Sequence, residues 1–248
     1  MQNPICISTG RVYQLSEDRN VLIDILRPLS LAGVELSFSH PREHLLNFQI
    51  SEASLEYLRG LEFNSIHAPW REIVYGQNQI SEQVLAKMVE LYEQINARNI
   101  VFHQEQIEDY GPITALLKVG CAVSLENGDW RKKEHSVENV RLALGKDRGF
   151  GFVFDFAHAL SFSAEEVREY MKQFNSRLSE IHISIMNKES ETHDFLHKYD
   201  NQEIRELLLS LNSAAMPMVL EAAVSANEEL ALLKKEIEYL KELWTSSV

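Results

Sequence analysis

The sequence has few cysteines, no long apolar run and no excess of positive charge, and each absence excludes a class of protein. Among its 248 residues only Cys6 and Cys121 carry thiols, each inside an apolar run. A disulfide framework is therefore not expected, and we interpret both as buried thiols of a protein in the reducing cytoplasm. No segment approaches the roughly 18 uninterrupted apolar residues of a membrane helix, and the first residues do not form a secretory leader. We expect no membrane association.

The charge balance argues against a dedicated nucleic-acid surface. Lys and Arg number 24 against 37 Asp and Glu, which gives a net charge of -13, so no basic field attracts a phosphate backbone over long distances. A negative total is compatible with bound divalent metals, because such ions become the largest local charges wherever acidic side chains surround them. Motifs of the P-loop, GxGxxG, GxSxG and CxxC types are also missing, so nucleotide cofactors are not expected.

What the chain does contain is a series of short apolar runs separated by segments of helical periodicity. No linker or low-complexity stretch divides it, so we expect a single domain over residues 1–248. Successive runs end about 23 to 39 residues apart, the size of one βα unit. The eight candidate strands are 5–8, 34–38, 64–68, 100–103, 122–126, 151–155, 180–184 and 218–222.

Eight βα units with near-continuously apolar strands predict an α/β fold with a buried parallel sheet, and eight strands are the number that closes a barrel. We therefore predict a (β/α)8 barrel. A doubly wound open sheet is the alternative, because strand order cannot be read from the sequence. The last helix, predicted over 226–244, carries an apolar stripe that should pack on the barrel. The segment 187–199 is predicted as the longest irregular loop after a strand, and such loops tend to be functional.

Histidines and carboxylates end six consecutive predicted strands. Barrel enzymes place their reactive groups at the carboxyl ends of the strands, so these side chains should converge. Each alone is readily explained as a hydrogen-bonded core residue or a helix cap. Burying all of them without a cation would cost on the order of several kcal/mol for each group. The residues are His67, His103, Glu126, Asp155 with His158 one turn later, His182 and Glu221.

Imidazole nitrogens and carboxylate oxygens without thiolates suit zinc, and also manganese, iron or cobalt. More than four candidate ligands imply more than one ion, so we predict two or three divalent ions with zinc as the first choice. Paired ions about 3.5 to 4 Å apart, bridged by carboxylates, are typical of hydrolytic sites.

Several motifs, in this order, resemble those of a known superfamily. Glu126-Asn127 after strand five and Asp155-x-x-His158 after strand six are the strongest, and His67-Ala-Pro precedes an aromatic residue, Trp70. The strings are SIHAPW, FHQ, SLENGD, FDFAHAL, EIHIS and VLEAA. Together they resemble the xylose isomerase-like TIM-barrel superfamily and, within it, endonuclease IV, the family-2 apurinic/apyrimidinic endonucleases.

The resemblance implies how the ligands would be shared among ions. One ion would be held by His67, His103 and Glu126. A second would be held by Glu126, Asp155, His182 and Glu221. A third would take His158 and a pair after strand seven, here Glu191 and His193, with Asp194 and His197 as alternatives. The alternatives stay open because Glu replaces the family's Asp and the usual glycine-rich turn is missing.

The joint presence of His67 and His103 favours a multinuclear hydrolase of phosphoesters, since sugar isomerases of the superfamily usually lack both. The resemblance implies in-line attack by a metal-activated hydroxide, with Glu221 orienting it or acting as base. The substrate would be a small phosphoester or sugar, or DNA with an abasic site. Catalytic roles are predicted for Glu126, Glu221 and His158, and substrate contacts for Trp70, Asn127 and Arg71.

Two other functions remain open. A mononuclear sugar (phosphate) isomerase or epimerase would use one ion at Glu126, Asp155, His182 and Glu221, with the two glutamates moving a proton through an enediolate. His158 would then hold a substrate oxygen. A non-catalytic barrel that binds a sugar or a metal is the third possibility. No protein partner is evident, His40 is a further candidate at the rim, and His44 and His135 are interpreted as surface residues.

Overall fold

A closed barrel of eight parallel strands forms the centre of the protein, as a computed structural model describes it for residues 3–131, 136–187, 189, 192–212, 216–223 and 230–245. Each strand pairs with its neighbour in the chain, and the last barrel strand, β10, closes the ring between β7 and β1. The barrel strands are β1 Ile5–Ser8, β2 Gly33–Ser37, β3 Phe63–His67, β4 Asn99–His103, β5 Val123–Glu126, β6 Gly151–Asp155, β7 Leu178–Ile183 and β10 Met218–Leu220. The (β/α)8 barrel is confirmed, and the open doubly wound sheet is wrong.

Nine α-helices are described around the barrel. They are α1 Arg19–Leu26, α2 Glu52–Arg59, α3 Gln79–Gln94, α4 Tyr110–Lys118, α5 Val137–Leu144, α6 Phe156–Phe162, α7 Ala164–Phe174, α8 Gln202–Asn212 and α9 Ala231–Thr245. Side-chain oxygens at the amino ends of several helices accept backbone N–H groups, as Ser51 does for α2 and Asn78 for α3, which satisfies donors that have no partner inside the helix. The helices bury their apolar faces on the outer surface of the barrel.

The close fit of neighbouring strands depends on one glycine at the start of β2. A Cβ atom built on Gly33 would lie 1.8 Å from the carbonyl oxygen of Phe63 and 2.8 Å from the sulfur of Cys6. Because no real side chain tolerates such contacts, only glycine allows β2 to approach β3 here. The predicted span of this strand, which began at Val34, therefore misses its first residue.

The segment predicted as an irregular loop contains regular structure, so that prediction is wrong for its described part. Ile185–Asn187 forms β8, Thr192–Asp194 forms β9, and the two pair in antiparallel fashion. A 3-10 turn follows at Leu196–Lys198. The polar Thr-His-Asp of β9 gives no apolar pattern, because its pairing rests on backbone hydrogen bonds at the mouth of the barrel rather than on burial.

The last helix packs on the barrel as predicted. Its stripe of Leu233, Ile237, Leu240 and Trp244 is buried. The helix begins at Ala231, and residues 224–229 of the predicted span lie outside the described part of the chain. Cys6 and Cys121 are buried free thiols, and among the described residues no helix has both the length and the apolar character needed to cross a membrane.

Candidate metal centre

The polar strand ends meet at the carboxyl end of the barrel and form three groups that share members. In each group the candidate ligand atoms lie within 4.8 Å of one another. The first group is His67, His103 and Glu126; the second is Glu126, Asp155, His182 and Glu221; the third is Asp155, His158 and His193. All eight residues were predicted as ligands, so the parallel barrel brings together side chains that are far apart in the sequence.

The first group places two imidazoles against one carboxylate oxygen. The Nε2 atoms of His67 and His103 each lie 3.1 Å from Oε2 of Glu126, and 3.2 Å from each other. Since Nδ1–H of His67 donates to the carbonyl of Ala68 at 3.0 Å, we assign a lone pair to its Nε2. That lone pair and the carboxylate oxygen are both acceptors and need a shared cation or proton.

A protonated His103 is one way to meet that need. Burial alone would lower its pKa, but the carboxylates of Glu126 and Glu105 raise the pKa of His103 to about 10. The same histidine and His182 hold the pKa of Glu126 well below its ordinary value, although burial opposes them. A divalent ion could therefore replace the proton between these three side chains and fits the donor set.

The second group is fully buried and is short of partners. Nδ1 of His182 lies 3.4 Å from Oε1 of Glu126 and 3.6 Å from Oε1 of Glu221. Asp155 uses Oδ1 to accept the backbone N–H of His158 at 2.7 Å, which caps α6. Its Oδ2 has no hydrogen bond from any residue that the structure describes. Such a group fits a cation, because buried carboxylates otherwise repel one another.

The electrostatics of this group agree with that interpretation. Burial, followed by the charges of Glu221 and Glu126, raises the pKa of Asp155 well above its ordinary value. Burial would lower the pKa of His182, but Glu221, Glu35 and Glu126 raise it well above the ordinary value. Asp155 and His182 thus favour their protonated forms, and a divalent ion bound there would displace those protons.

The third group joins the barrel to the hairpin β8–β9. Nδ1–H of His158 donates to the carbonyl of Asn127 at 2.8 Å, which leaves Nε2 as the atom available to a ligand. His193 contacts the hydroxyl of Ser184 at 2.6 Å through Nδ1. Burial is the main cause that lowers the pKa of both imidazoles. Neutral imidazoles are the form that binds metals.

The structure also distinguishes between the residues offered for this third group. Glu191 lies outside the described residues. Asp194 accepts hydrogen bonds from Lys198 and Tyr199, each at 2.9 Å. His197 pairs with Glu236 at 2.6 Å on α9. His193 therefore joins the group, whereas the alternatives Asp194 and His197 are engaged elsewhere.

The three predicted substrate contacts have different surroundings. The half-buried ring of Trp70 lies 5.1 Å from that of His67 and stacks at 6.1 Å on His103, which places it beside the first group. The amide of Asn127 is occupied: it donates to the backbone carbonyl of Asp155 at 3.0 Å and accepts its N–H at 2.8 Å. Asn127 therefore positions Asp155. Arg71 is exposed, and its backbone N–H donates to Ser39.

Histidines of the second βα loop form a separate cluster. His40, Glu43 and His44 lie together, half-buried or exposed, and the Ser39 hydroxyl contacts Nδ1 of both imidazoles. The structure thus gives His40 and His44 similar surroundings at this loop. His135 lies outside the described residues.

Sequence reasoning missed Arg11, whose guanidinium enters the centre. Its Nη2 lies 2.8 Å from Oε1 of Glu221, and 21% of the Arg11 side chain is exposed. Burial would raise the pKa of Glu221, but Arg11 and then His182 hold it well below the ordinary value. Gly10 allows this placement, because a Cβ there would lie 2.7 Å from the Ser37 hydroxyl. The available signal was a basic residue three positions after the end of β1.

Two further carboxylates, Glu35 on β2 and Glu180 on β7, were also missed. Both are fully buried and lie beside His182. The signal was one acidic residue inside each apolar strand. Burial is the main cause that raises the pKa of Glu180, and His182 opposes that rise.

Comparison with solved structures confirms the xylose isomerase-like TIM-barrel fold. Endonuclease IV from Thermus thermophilus is similar at a TM-score of 0.68 and 15% identity, covering 96% of this chain and 99% of that one. A D-tagatose 3-epimerase-like protein is similar at a TM-score of 0.69 and 15% identity, covering 96% of this chain and 98% of that one. A xylose isomerase domain containing protein from Salmonella typhimurium is similar at a TM-score of 0.63 and 16% identity, covering 99% of this chain and 98% of that one. No protein-family model and no curated protein sequence matches the chain.

Proposed function

We propose that the protein is a divalent-metal-dependent hydrolase of phosphoesters that holds two or three ions. The observation that carries this proposal is the position of Glu126. Its Oε2 meets His67 and His103, each at 3.1 Å, while its Oε1 faces His182 at 3.4 Å. One carboxylate thus belongs to two ligand groups, as the bridging residue of a two-ion hydrolytic site does.

Arg11 supports an anionic substrate. Its guanidinium pairs with Glu221 at 2.8 Å, and its buried Nε–H donates to no acceptor among the described residues. An ion bound by Glu221 would compete for that carboxylate. The guanidinium would then be available to phosphoryl oxygens, which it matches in geometry and charge.

Each residue of the centre has a role in the proposed reaction. Bound divalent ions would supply an activated water and neutralise charge on the phosphoryl oxygens. Glu221, whose pKa lies well below its ordinary value, stays ionised and can orient the attacking water by accepting its hydrogen bond. Asn127 holds Asp155 through two backbone contacts, and His158 and His193 would, together with Asp155, hold a third ion.

The charge of the protein bears on the size of the substrate. A net charge of -13 repels a nucleic-acid backbone over long distances. It does not prevent a small phosphoester from reaching an ion-lined mouth, because the ions dominate the local field there. A small phosphoester is thus favoured over duplex DNA with an abasic site.

Metal stoichiometry combined with turnover tests this function. The purified chain should retain two or three ions by elemental analysis and hydrolyse an activated phosphodiester such as bis-p-nitrophenyl phosphate. His103→Ala should lose one ion and most of the turnover. His44→Ala, which removes a histidine of the separate loop cluster, is the matched control and should retain both. A nicking assay on an abasic duplex, run in parallel, decides between the two substrate sizes.

A mononuclear sugar isomerase or epimerase is the second candidate. It is favoured by the second group itself, because Glu126 and Glu221 both approach Nδ1 of His182, at 3.4 and 3.6 Å, without help from the first group. That function predicts one ion, unchanged turnover in His103→Ala, and proton exchange on a ketose. A barrel that only binds a sugar or a metal predicts no turnover on any of these substrates.

A further inference from the structure

Two buried carboxylates converge on the side of His182 that faces away from the second group. Oε2 of Glu35 lies 3.3 Å from Nε2 of His182, and Oε1 of Glu180 lies 3.5 Å from the same nitrogen. Glu180 stands two residues before His182 on β7 and so points to the same side of the strand, one layer deeper in the barrel. None of the three side chains has any exposed area.

These groups are short of hydrogen bonds. Neither carboxylate, nor either nitrogen of His182, makes a hydrogen bond of good geometry with the residues that the structure describes. Two acids without partners in a fully buried layer are costly, so their retention calls for a reason beyond packing. Distances of 3.3 and 3.5 Å are just longer than those of a well-formed N–H···O bond, so a small tilt of the imidazole would complete one.

The chemistry of the imidazole supplies that reason. A neutral histidine has a lone pair on one ring nitrogen and a proton on the other. Nδ1 of His182 faces Glu126 and Glu221 at the mouth of the barrel, where the proposed ion would bind. If Nδ1 offers the lone pair, Nε2 must carry the proton, and the nearest acceptor for it is Glu35.

We propose that Glu35, with Glu180 beside it, is the positioning residue that holds His182 in its Nε2–H form and so sets the ion affinity of the second group. The inference rests on the proposed metal centre, though not on the reaction catalysed there. A carboxylate that accepts the second N–H of a metal-bound histidine fixes the ring and makes it a stronger ligand. Glu35 comes from β2, which is three strands away from β7 around the ring, so it is independent of the backbone that carries His182.

Two substitutions separate the charge of Glu35 from its hydrogen bond. Glu35→Gln keeps the volume and an acceptor oxygen and removes the charge, whereas Glu35→Leu removes both. In the full chain, titrated with Zn²⁺ against a competing chelator, we expect affinity to fall about tenfold for the first and about a hundredfold for the second, the range seen for such outer partners. Ser124→Ala is the control, since this buried hydroxyl belongs to a hydrogen-bonded group near the amino ends of the strands, away from the centre. It should leave the affinity unchanged.

The protonated nitrogen of His182 gives a second readout that a packing role would not move. In zinc-loaded protein with ¹⁵N-labelled histidine, the ring shifts should report Nε2–H for the wild type and for Glu35→Gln. Glu35→Leu should lose the single form or the ion. If Glu35→Leu proves unfolded in a thermal melt, the Gln variant alone still tests the affinity.

Three results would overturn the proposal. The first is an unchanged zinc affinity and ring form in Glu35→Leu. The second is a wild-type His182 that carries its proton on Nδ1. The third is the loss of one whole ion equivalent in Glu35→Gln with the others bound as tightly, which would make Glu35 and Glu180 ligands of an interior cation. All are binding measurements, so absent phosphoester turnover would count against the proposed function and leave this inference standing.

Discussion

The barrel contains two polar clusters that differ in whether their polar atoms have hydrogen-bond partners inside the protein. Near the amino ends of the strands, the Ser124 hydroxyl donates to Asn99 at 2.8 Å and lies 2.8 Å from the Ser179 hydroxyl. Ser179 in turn donates to the carbonyl of Phe152 at 3.0 Å. Every member of this lower network, Asn99, Ser124 and Ser179, thus has partners inside the protein.

At the carboxyl ends of the strands, several polar groups lack partners inside the described part of the protein. Several buried polar atoms there make no hydrogen bond with the described residues. They are Oδ2 of Asp155, the carboxylate oxygens of Glu35 and Glu180, and both ring nitrogens of His182. The lower network is complete as it stands, so it contributes to stability. The candidate metal centre leaves these buried polar atoms without partners among the described residues, which is why we place the proposed ions there.

The largest effect should come from the residue shared by two groups. Glu126→Gln keeps the shape of the side chain but removes the charge that both His67 and His103 meet. We expect it to lose ions from both the first and second groups and to lower turnover by more than about a hundredfold, since even outer partners of a metal are worth that much. Elemental analysis and steady-state kinetics measure this. Retention of all ions would show that the first and second groups do not share a bridging residue.

A smaller effect is expected when the guanidinium of Arg11, which pairs with Glu221, is removed. Arg11→Ala should raise KM for an anionic phosphoester by about tenfold to a hundredfold, the value of one charge-assisted hydrogen bond. The ion content should not fall, because Arg11 competes with ions for Glu221 rather than binding them. Inhibition constants for inorganic phosphate, compared between Arg11→Ala and Arg11→Lys, provide the check. An unchanged KM would place Arg11 outside the substrate site.

The lower network should respond in stability alone. Ser124→Ala removes the hydrogen bond that Oδ1 of Asn99 accepts and one contact of the Ser179 hydroxyl, at a cost of about 1 to 3 kcal/mol. Urea denaturation measures the loss, and elemental analysis should show the same ions as in the wild type. A drop in ion content would mean that the two clusters are coupled after all.

The smallest effect concerns pH in the metal-free protein. The pKa of His103 is raised from 6.5 to about 10 by its carboxylate neighbours, with burial opposing them. A group whose pKa is raised on folding stabilises most below its unfolded value. This contribution is therefore complete below about pH 6.5 and is lost as the pH rises through about 10. Thermal melts with a chelator should show that decline, and His103→Gln should flatten it. In ion-loaded protein the decline should be absent.

Most of the fold followed from local patterns, because a strand buried on both faces is written as a short apolar run. The predicted and observed bounds of β1 and β6 agree at both ends. The candidate ligands were found for a related reason: His67, His103, Glu126 and Asp155 are the last residues of their strands, where a parallel barrel gathers them. Topology alone therefore converts sequence position into proximity.

The sequence did not predict the contacts of residues that do not stand at the end of a barrel strand. Glu35 lies in the middle of β2 and Arg11 in a turn after β1, so neither stands at a strand end. The amide of Asn127 pairs with the backbone of Asp155, a contact between neighbouring strand ends that spacing does not reveal. The hairpin β8–β9 carries too few apolar residues to produce a periodic signal.

Hydrogen bonds join α9, which packs on the outside of the barrel, to the segment that follows the hairpin β8–β9 at the mouth of the barrel. The Glu236 carboxylate accepts the backbone N–H groups of Leu196 and His197, at 2.7 and 3.1 Å, across 40 and 39 positions of the chain. His193 lies three residues before that anchor. A helix on the outside of the barrel thereby holds the segment that carries His193. Changes in ion number between related proteins could thus arise at the periphery, with every barrel strand left intact.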